Sequence, residues 1–429
     1  MVAPAAESGV RSRVGTERAL VAGALAVVAL HIVDDNFLQT EPGMSAGDHL
    51  LSGFAPLAVI VAAAACYGRL RPGARAALAL VFGVLGIVTG AEAAYYASNG
   101  GMSGDDYTGI LSIPAGLLLL GIGTATLWKS RRTDDSRRWR YVRRLLLSVA
   151  AAVVALLVLL PLALAYVVTH TARAEVPTAA LGTAYEDVEF TTSDGLRLKG
   201  WYIPSKNRAA VIAFPGRSGP QKQARMLARH GYGVLLFDRR GEGESDGEPN
   251  VFGWQGARDL HAAVGFLQSR TDVDPERIGG IGLSVGGEML IEAAAESDAI
   301  KAIVSEGGSG RSLRDDLANT DSRLNKVMAV VSGSAVVTAS TAVFTNDRPP
   351  ATLKSLVPRI TPQGAFFIYA LHGQGGGERV PNQGFYAEAG EPKAIWEVPE
   401  GPHIGGITAR PVEYERRVVS FFDRALLAH

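Results

Sequence analysis

The sequence predicts two architectures in tandem: an all-α membrane region, then an α/β domain with a mostly parallel sheet and helices on both faces. Three observations carry this. Long apolar runs crowd residues 1–170 and then stop. From residue 184 onward, short β-branched runs alternate with helical patterns, as strand–helix–strand units do. And 429 residues are too many for one ordinary domain.

Composition narrows the function. Lys+Arg and Asp+Glu balance at 42 each, so no basic excess points to nucleic acid. The one cysteine, Cys66, permits no intrachain disulfide.

The membrane region (1–170) holds five apolar stretches, about 19–37, 50–68, 76–97, 107–127 and 145–169. Each is near the ~20 residues a helix needs to cross the hydrocarbon core. Arg11, Arg13 and Arg18 precede the first stretch, and Arg69, Arg71 and Arg75 separate the second from the third. Lys129, Arg131, Arg132 and five further arginines separate the fourth from the fifth. The other two loops carry Asp34, Asp35, Glu41, Asp48, Asp105 and Asp106, with no Lys or Arg. Basic loops stay in the cytoplasm, so the N-terminus is expected there and everything beyond residue 170 outside. A signal peptide over residues 11–30 competes for the first stretch, but four more spans follow it. His31, Asp34, Asp35, Asp48 and His49 gather near the outer end of the first hairpin. Ionisable groups there are costly and often functional, so a metal or proton site stands beside the plainer reading of a polar interfacial loop.

A linker, 171–183, leads to the second domain, 184–429. "EDVEFTTSDGLRLKGWYIP" reads as two strands joined by a Ser-Asp-Gly turn. "RAAVIAFPG" is a strand, "QKQARMLARHG" a helix closed by Gly231, and "YGVLLFDRRGEGES" a strand running into a glycine-rich loop. The helix "GWQGARDLHAAVGFLQSR", the strand "ERIGGIGLS" and the helix "VGGEMLIEAAAE" follow. "IKAIVSEGG", "AFFIYALHG" and "KAIWEVPEG" supply further strands before a last helix from Pro411.

The pattern GxSxG occurs three times, at Ser45, Ser245 and Ser284. A nucleophile elbow needs a strand entering a sharp turn and a helix leaving it. Only Ser284 has both. Ser45 has no strand before it, and Ser245 reads as a surface turn. The helix after Ser284 also offers the Val285 N–H to an oxyanion. A serine needs a base, and the base an orienting acid. His403, in the loop between the last strand and last helix, is the best-placed histidine. His372 ends a strand, and His230 and His261 lie within helices. Two carboxylates compete as the acid: Glu378 in "HGQGGGERVPN", which could equally pair with Arg379 on the surface, and Glu306 in "VSEGG".

Together "FPGRSG", "LLFDRRGEGESDGEP", "GIGLSVGG", "LHGQGGGERVPN" and "GPHIGG" resemble the α/β-hydrolase fold. Within it they are similar to its dienelactone-hydrolase-like and serine-peptidase-like bacterial branch, over about 184–429. The resemblance implies an eight-stranded sheet, a Ser-acid-His triad of Ser284, Glu378 and His403, and two-step acyl transfer. It also implies a second oxyanion amide, at Arg217. The chain has Pro215-Gly216 where members often have His-Gly, and a Glu after three glycines where members often have Asp. Residues 306–362 fall where this fold often carries a lid, and 324–344 are apolar enough to cover an acyl pocket, touch the bilayer or form a small cap.

The expectation is a membrane-anchored serine hydrolase of an ester, thioester or amide, in a bacterial cell membrane, with an acyl substrate and no cofactor or metal. Two other classes compete: a catalytically inactive hydrolase-fold sensor, and a membrane protein whose main site is the His31/Asp34/Asp35 loop.

Overall fold

The computed structural model describes residues 5–40, 43–99, 104–129, 136–171, 173 and 175–428. Glu41, Arg131 and Arg132, three of the charges used above for orientation, lie outside them. The chain forms two compact units. One comprises Met1–Thr40, Ser45–His170 and Ala339–Asn346; the other comprises Glu41–Met44, Thr171–Thr338 and Asp347–His429.

The apolar runs of the first unit form α1 (Ala5–Val33), α2 (Leu50–Tyr67), α3 (Pro72–Asn99), α4 (Gly104–Lys129), α5 (Arg137–Val154) and α6 (Leu160–Thr169). A π-helical turn, Ala155–Leu159, joins α5 to α6 in one continuous apolar stretch, and another, Asp34–Leu38, extends α1. Five stretches here are long and apolar enough to cross a membrane: Gly15–Leu38, Leu50–Tyr67, Pro72–Ala91, Tyr107–Lys129 and Arg138–Thr169. A sixth, Arg323–Phe344, lies far along the chain and adds to the five expected. α3 and α4 pack through small residues. A Cβ on Gly83 would sit 2.9 Å from the Gly116 carbonyl oxygen, and one on Gly116 only 2.7 Å from that of Gly83. Such close backbone approach is how apolar helices associate where water supplies no drive.

The polar residues at the end of α1 make local bonds. Thr108 Oγ1 donates to Asp34 Oδ2 at 2.7 Å and lies 3.3 Å from His31 Nδ1, while Gln39 Nε2 donates to Asp34 Oδ1 at 3.0 Å. Asp48 instead accepts from the Ser45 hydroxyl at 2.7 Å. Among the described residues, no three His, Cys, Asp or Glu side chains gather as metal ligands.

In the second unit, the strands are β1 (Glu186–Thr191), β2 (Arg197–Ile203), β3 (Ala210–Phe214), β4 (Gly233–Phe237), β5 (Ile278–Leu283), β6 (Ala302–Glu306), β7 (Gly364–Ala370) and β8 (Lys393–Val398). They form one eight-stranded sheet in the order β1-β2-β4-β3-β5-β6-β7-β8. β2 is antiparallel to both β1 and β4, and from β4 to β8 every pairing is parallel. This is the α/β-hydrolase arrangement. Its connecting helices are α7 (Gln221–Arg229), α8 (Gly256–Gln268) and α9 (Val285–Glu296). The stretch expected as a lid holds α10 (Leu313–Ala318), α11 (Arg323–Ala329), α12 (Ala335–Phe344) and α13 (Leu353–Leu356). α14 (Arg379–Glu388), α15 (Gly406–Ala409) and α16 (Pro411–Phe422) complete the unit. α14 replaces what the sequence reads as loop, because a short segment interrupted by Pro381 and Gly384 carries little helical signal.

The strand residues alternate between two apolar layers. Ile212, Leu235 and Phe367 face one layer with Leu290 of α9; Val211, Val234 and Val304 face the other with Tyr414 and Phe422 of α16. Helices on both faces explain why these strands read as continuous apolar runs. One ion pair is locked into the first layer's edge. Asp259 of α8 is fully buried and accepts from the Arg240 amide at 2.9 Å, Nε at 2.9 Å and Nη2 at 2.7 Å. Asp259→Ala removes the buried partner of Arg240, leaving it only the outer Asp194, and should cost about 3 kcal/mol. Asp194→Ala, on the exposed side of the same arginine, should cost about 1 kcal/mol or less. Melting temperatures of the two purified variants test the contrast.

Candidate active site

β5 ends at Leu283 and α9 starts at Val285, so the chain reverses within one residue, Ser284. Its backbone takes φ 53° and ψ −124°, a region that non-glycine residues rarely occupy. The turn closes because its neighbours lack side chains. A Cβ on Gly282 would lie 2.4 Å from the Gly286 carbonyl, and one on Gly286 would lie 2.7 Å from Pro215 N. The Ser284 amide is tied to the Glu306 carbonyl of β6 at 2.7 Å.

The structure brings together the three residue types singled out above. His403 Nε2 stands 2.9 Å from Ser284 Oγ, and His403 Nδ1 stands 2.6 Å from Glu378 Oε1. Glu378 is fully buried at the entrance to α14, and its other oxygen accepts the Ala370 N–H at 2.9 Å. Gly373 makes room for it, since a Cβ there would sit 1.9 Å from Glu378 Oε1. Asn382, one turn into α14, donates to the Glu378 and Gly308 carbonyls, both at 2.8 Å, and anchors this loop to the one after β6. Sequence reading missed Asn382, although its spacing of four from Glu378 is a helical one. It also missed Gln374, whose Nε2 lies 3.4 Å from His403 Nε2.

Glu306, the rival acid, is not hydrogen-bonded to His403. Its oxygens accept the Gly406 N–H at 2.8 Å and the Tyr414 hydroxyl at 2.7 Å, so it fastens the segment that follows His403 to α16. Burial, helped by the nearby Glu378 carboxylate, pushes its carboxyl above the usual 4.5, against the pull of those two donors and of His403. Glu288 of α9 is buried likewise and accepts the Ser309 and Gly310 amides at 2.7 and 2.8 Å.

Val285 opens α9, so its N–H has no intrahelical acceptor and stands beside the serine. Arg217 requires a correction. Its amide donates to Asp238 Oδ1 at 2.9 Å, and its guanidinium contacts Asp238 Oδ2 at 2.9 and 2.5 Å and Glu244 at 3.0 Å. The buried Asp238 carboxylate takes the very N–H that the resemblance assigns to an oxyanion. The other two GxSxG serines make structural bonds. Ser245 Oγ is fully buried, donating to the Asp238 carbonyl at 2.5 Å and accepting the Lys199 N–H at 3.0 Å, and Ser45 Oγ donates to Asp48.

The chain is similar to several known proteins. The S15 family of X-Pro dipeptidyl-peptidases matches residues 158–357. A polyketide transferase, grgF, from Penicillium sp. is 39% identical over 126 residues, 28% of this chain and 43% of that protein. YfhR, an uncharacterised protein of Escherichia coli (strain K12), is 27% identical over 257 residues, 56% of this chain and 81% of that protein. A thiohydrolase, aneE, from Aspergillus aculeatus is 36% identical over 129 residues, 28% of this chain and 41% of that protein. The chain thus spans less than half the length of the two fungal relatives. Among solved structures, the Penicillium hydrolase GrgF superposes with a TM-score of 0.47 at 23% identity, covering 57% of this chain and all of that one. The Pyrococcus furiosus esterase Pf2001 also gives 0.47 at 23% identity, covering 60% of this chain and all of that one. The sheet order and the strained serine turn give the second unit the α/β-hydrolase fold, and residues 158–357 are similar to the S15 family.

Proposed function

We propose that this chain is a membrane-anchored hydrolase that cleaves an ester, thioester or amide through an acyl-enzyme on Ser284. The hydrogen-bonded chain from Ser284 through His403 to Glu378 carries the reading. His403 Nε2 takes the Ser284 proton as Oγ attacks the substrate carbonyl. Glu378 holds the ring by Nδ1 and stabilises the imidazolium. The Val285 N–H meets the oxygen that becomes negative. Collapse breaks the bond to the leaving alcohol, thiol or amine, which receives the proton from His403. Water, deprotonated by the same nitrogen, then releases the acid and restores Ser284. Similarity to a thiohydrolase and a polyketide transferase favours an acyl ester or thioester over a peptide.

The five apolar stretches of the first unit would be the anchor, and the alternation of basic and acidic loops would put the hydrolase unit outside the cytoplasm. A reporter fused to the C-terminus should be active only when it functions outside the cytoplasm. A strictly cytoplasmic signal would reverse the orientation.

Ser284 should be labelled by a fluorophosphonate. Ser284→Ala and His403→Ala should each reduce hydrolysis of a short acyl ester by roughly ten-thousand-fold or more. Glu378→Gln, which leaves nucleophile and base in place, should lose less, about a hundred- to a thousand-fold. Purified Ser284→Ala with full activity would end the serine-hydrolase reading.

Glu306→Gln should stay within about tenfold of the parent, because its partners bind the segment after His403 and not the ring itself. It should also change stability with a definite sign. The folded state holds the Glu306 proton more tightly than the unfolded chain does. The associated stability is therefore complete below the usual value of 4.5 and is lost as pH rises through the raised folded value. Melting curves should show Glu306→Gln gaining on the parent as pH increases from 4.5 upward. A constant difference would remove the assigned role of burial.

A further inference from the structure

The sixth apolar stretch, Arg323–Phe344, is as long as a membrane span but cannot be one. It lies between β6 and β7, which are adjacent strands of one sheet, paired from Ala302↔Gly364 to Glu306↔Ile368. Both ends of the insertion therefore lie on the same side of any bilayer, and a single crossing would tear the sheet apart. The helix is also broken in its middle. Gly333 takes φ 98° and ψ −1°, in the left-handed region, between α11 and α12.

Its composition remains that of a buried element with little to bury it. Leu324, Val327, Met328 and Val331 fall at i, i+3, i+4 and i+7, one face of a helix, and are 69, 57, 55 and 45% exposed. Contiguous apolar surface of this kind marks a contact with a partner or a membrane. The far end of the segment identifies which. Residues Ala339–Asn346 belong to the helical first unit. There the Phe344 ring packs edge-on against Tyr166 at 5.7 Å and His170 at 6.0 Å, where α6 ends, and Asn346 donates to the Asp48 carbonyl at 3.2 Å. The segment is therefore fastened to the terminus of the last apolar stretch of the first unit, at the level where that stretch would leave the hydrocarbon core. Arg323 and Lys326 flank the apolar stripe, as cations do that keep their heads among lipid headgroups.

We infer that residues 323–344 form a non-crossing, membrane-inserted element whose Leu324/Val327/Met328/Val331 face lies in the lipid leaflet on the hydrolase side. This rests on the membrane-anchored part of the function proposed above and is independent of its chemistry. The occupant of the face is a lipid surface.

The test uses the full chain in phosphatidylcholine–phosphatidylglycerol vesicles. Cys66→Ser provides the background for single cysteines labelled with an environment-sensitive fluorophore. Met328→Cys, with Val331→Cys as a second site on the same face, should be blue-shifted and quenched by nitroxide-bearing lipid. Both should resist iodide several-fold better than Ser269→Cys, an exposed position on the hydrolase unit. Val153→Cys, within α5, is the lipid-facing control. Iodide quenching at both 328 and 331 equal to that at 269 overturns the inference. Shielding from both quenchers also overturns it, in favour of a protein partner or a second copy. An aqueous Val153→Cys overturns it together with the anchoring that it rests on. Fluorophosphonate labelling of Ser284 is read in the same vesicles. Its loss with lipid quenching intact would count against the hydrolytic chemistry and leave this element in place.

Discussion

A single backbone reversal at Ser284 organises the second unit. A residue with a side chain is held at positive φ, and such a conformation survives only where surroundings over-determine it. Here they do so from three directions. Gly282 and Gly286 admit the backbone of the turn to itself and to the Pro215 end of β3, the amide of Ser284 is held by β6, and α9 leaves immediately behind it. Because the turn is fixed to two neighbouring strands, the hydroxyl is aimed by the sheet and not by a loop. Everything that meets it comes from loops at the same sheet edge.

Those loops are held by buried carboxylates. Glu378 orients the His403 ring, Glu306 fastens the chain that follows His403, Glu288 gathers the amides of Ser309 and Gly310, and Asp238 ties the β3 loop to the strand beside it. Each is an acceptor removed from water, affordable only because its lone pairs are filled by amides, hydroxyls or a guanidinium. The carboxylates differ in the kind of donor they meet, and that difference separates their roles. The one facing an imidazole can respond to a proton moving through the site. Those facing amides and Arg217 hold geometry.

The sheet also constrains the surroundings of the site. An insertion between two paired strands must return to the side it left, so the apolar length of 323–344 is not free to do what its composition alone would permit. The same composition in the first unit meets no such restriction. There α3 and α4 follow one another and pack through Gly83 and Gly116. Two segments of similar hydropathy thus acquire different fates from their position in the chain topology.

Much of this was legible in the sequence. Alternating strands and helices announced the parallel sheet, since period and length are local properties. The strand-turn-helix setting distinguished Ser284 from Ser45 and Ser245, and the length of the first apolar runs without a polar face set them apart from ordinary amphipathic helices. Other features were decided only by tertiary structure. Glu306 ends β6 and Glu378 follows β7, each a single glutamate near a strand end, and only the folding of the Gly373 turn and α14 directs one to His403 and leaves the other to Tyr414 and Gly406. The Arg217 amide looked available because its competitor, Asp238, follows another strand, β4. α14 was hidden by its proline and glycine, and the fate of 323–344 by the pairing of β6 with β7. In each case the deciding partner is distant in the chain. A sequence pattern records what a segment prefers, whereas hydrogen-bond competition and strand pairing are settled only when the segments meet.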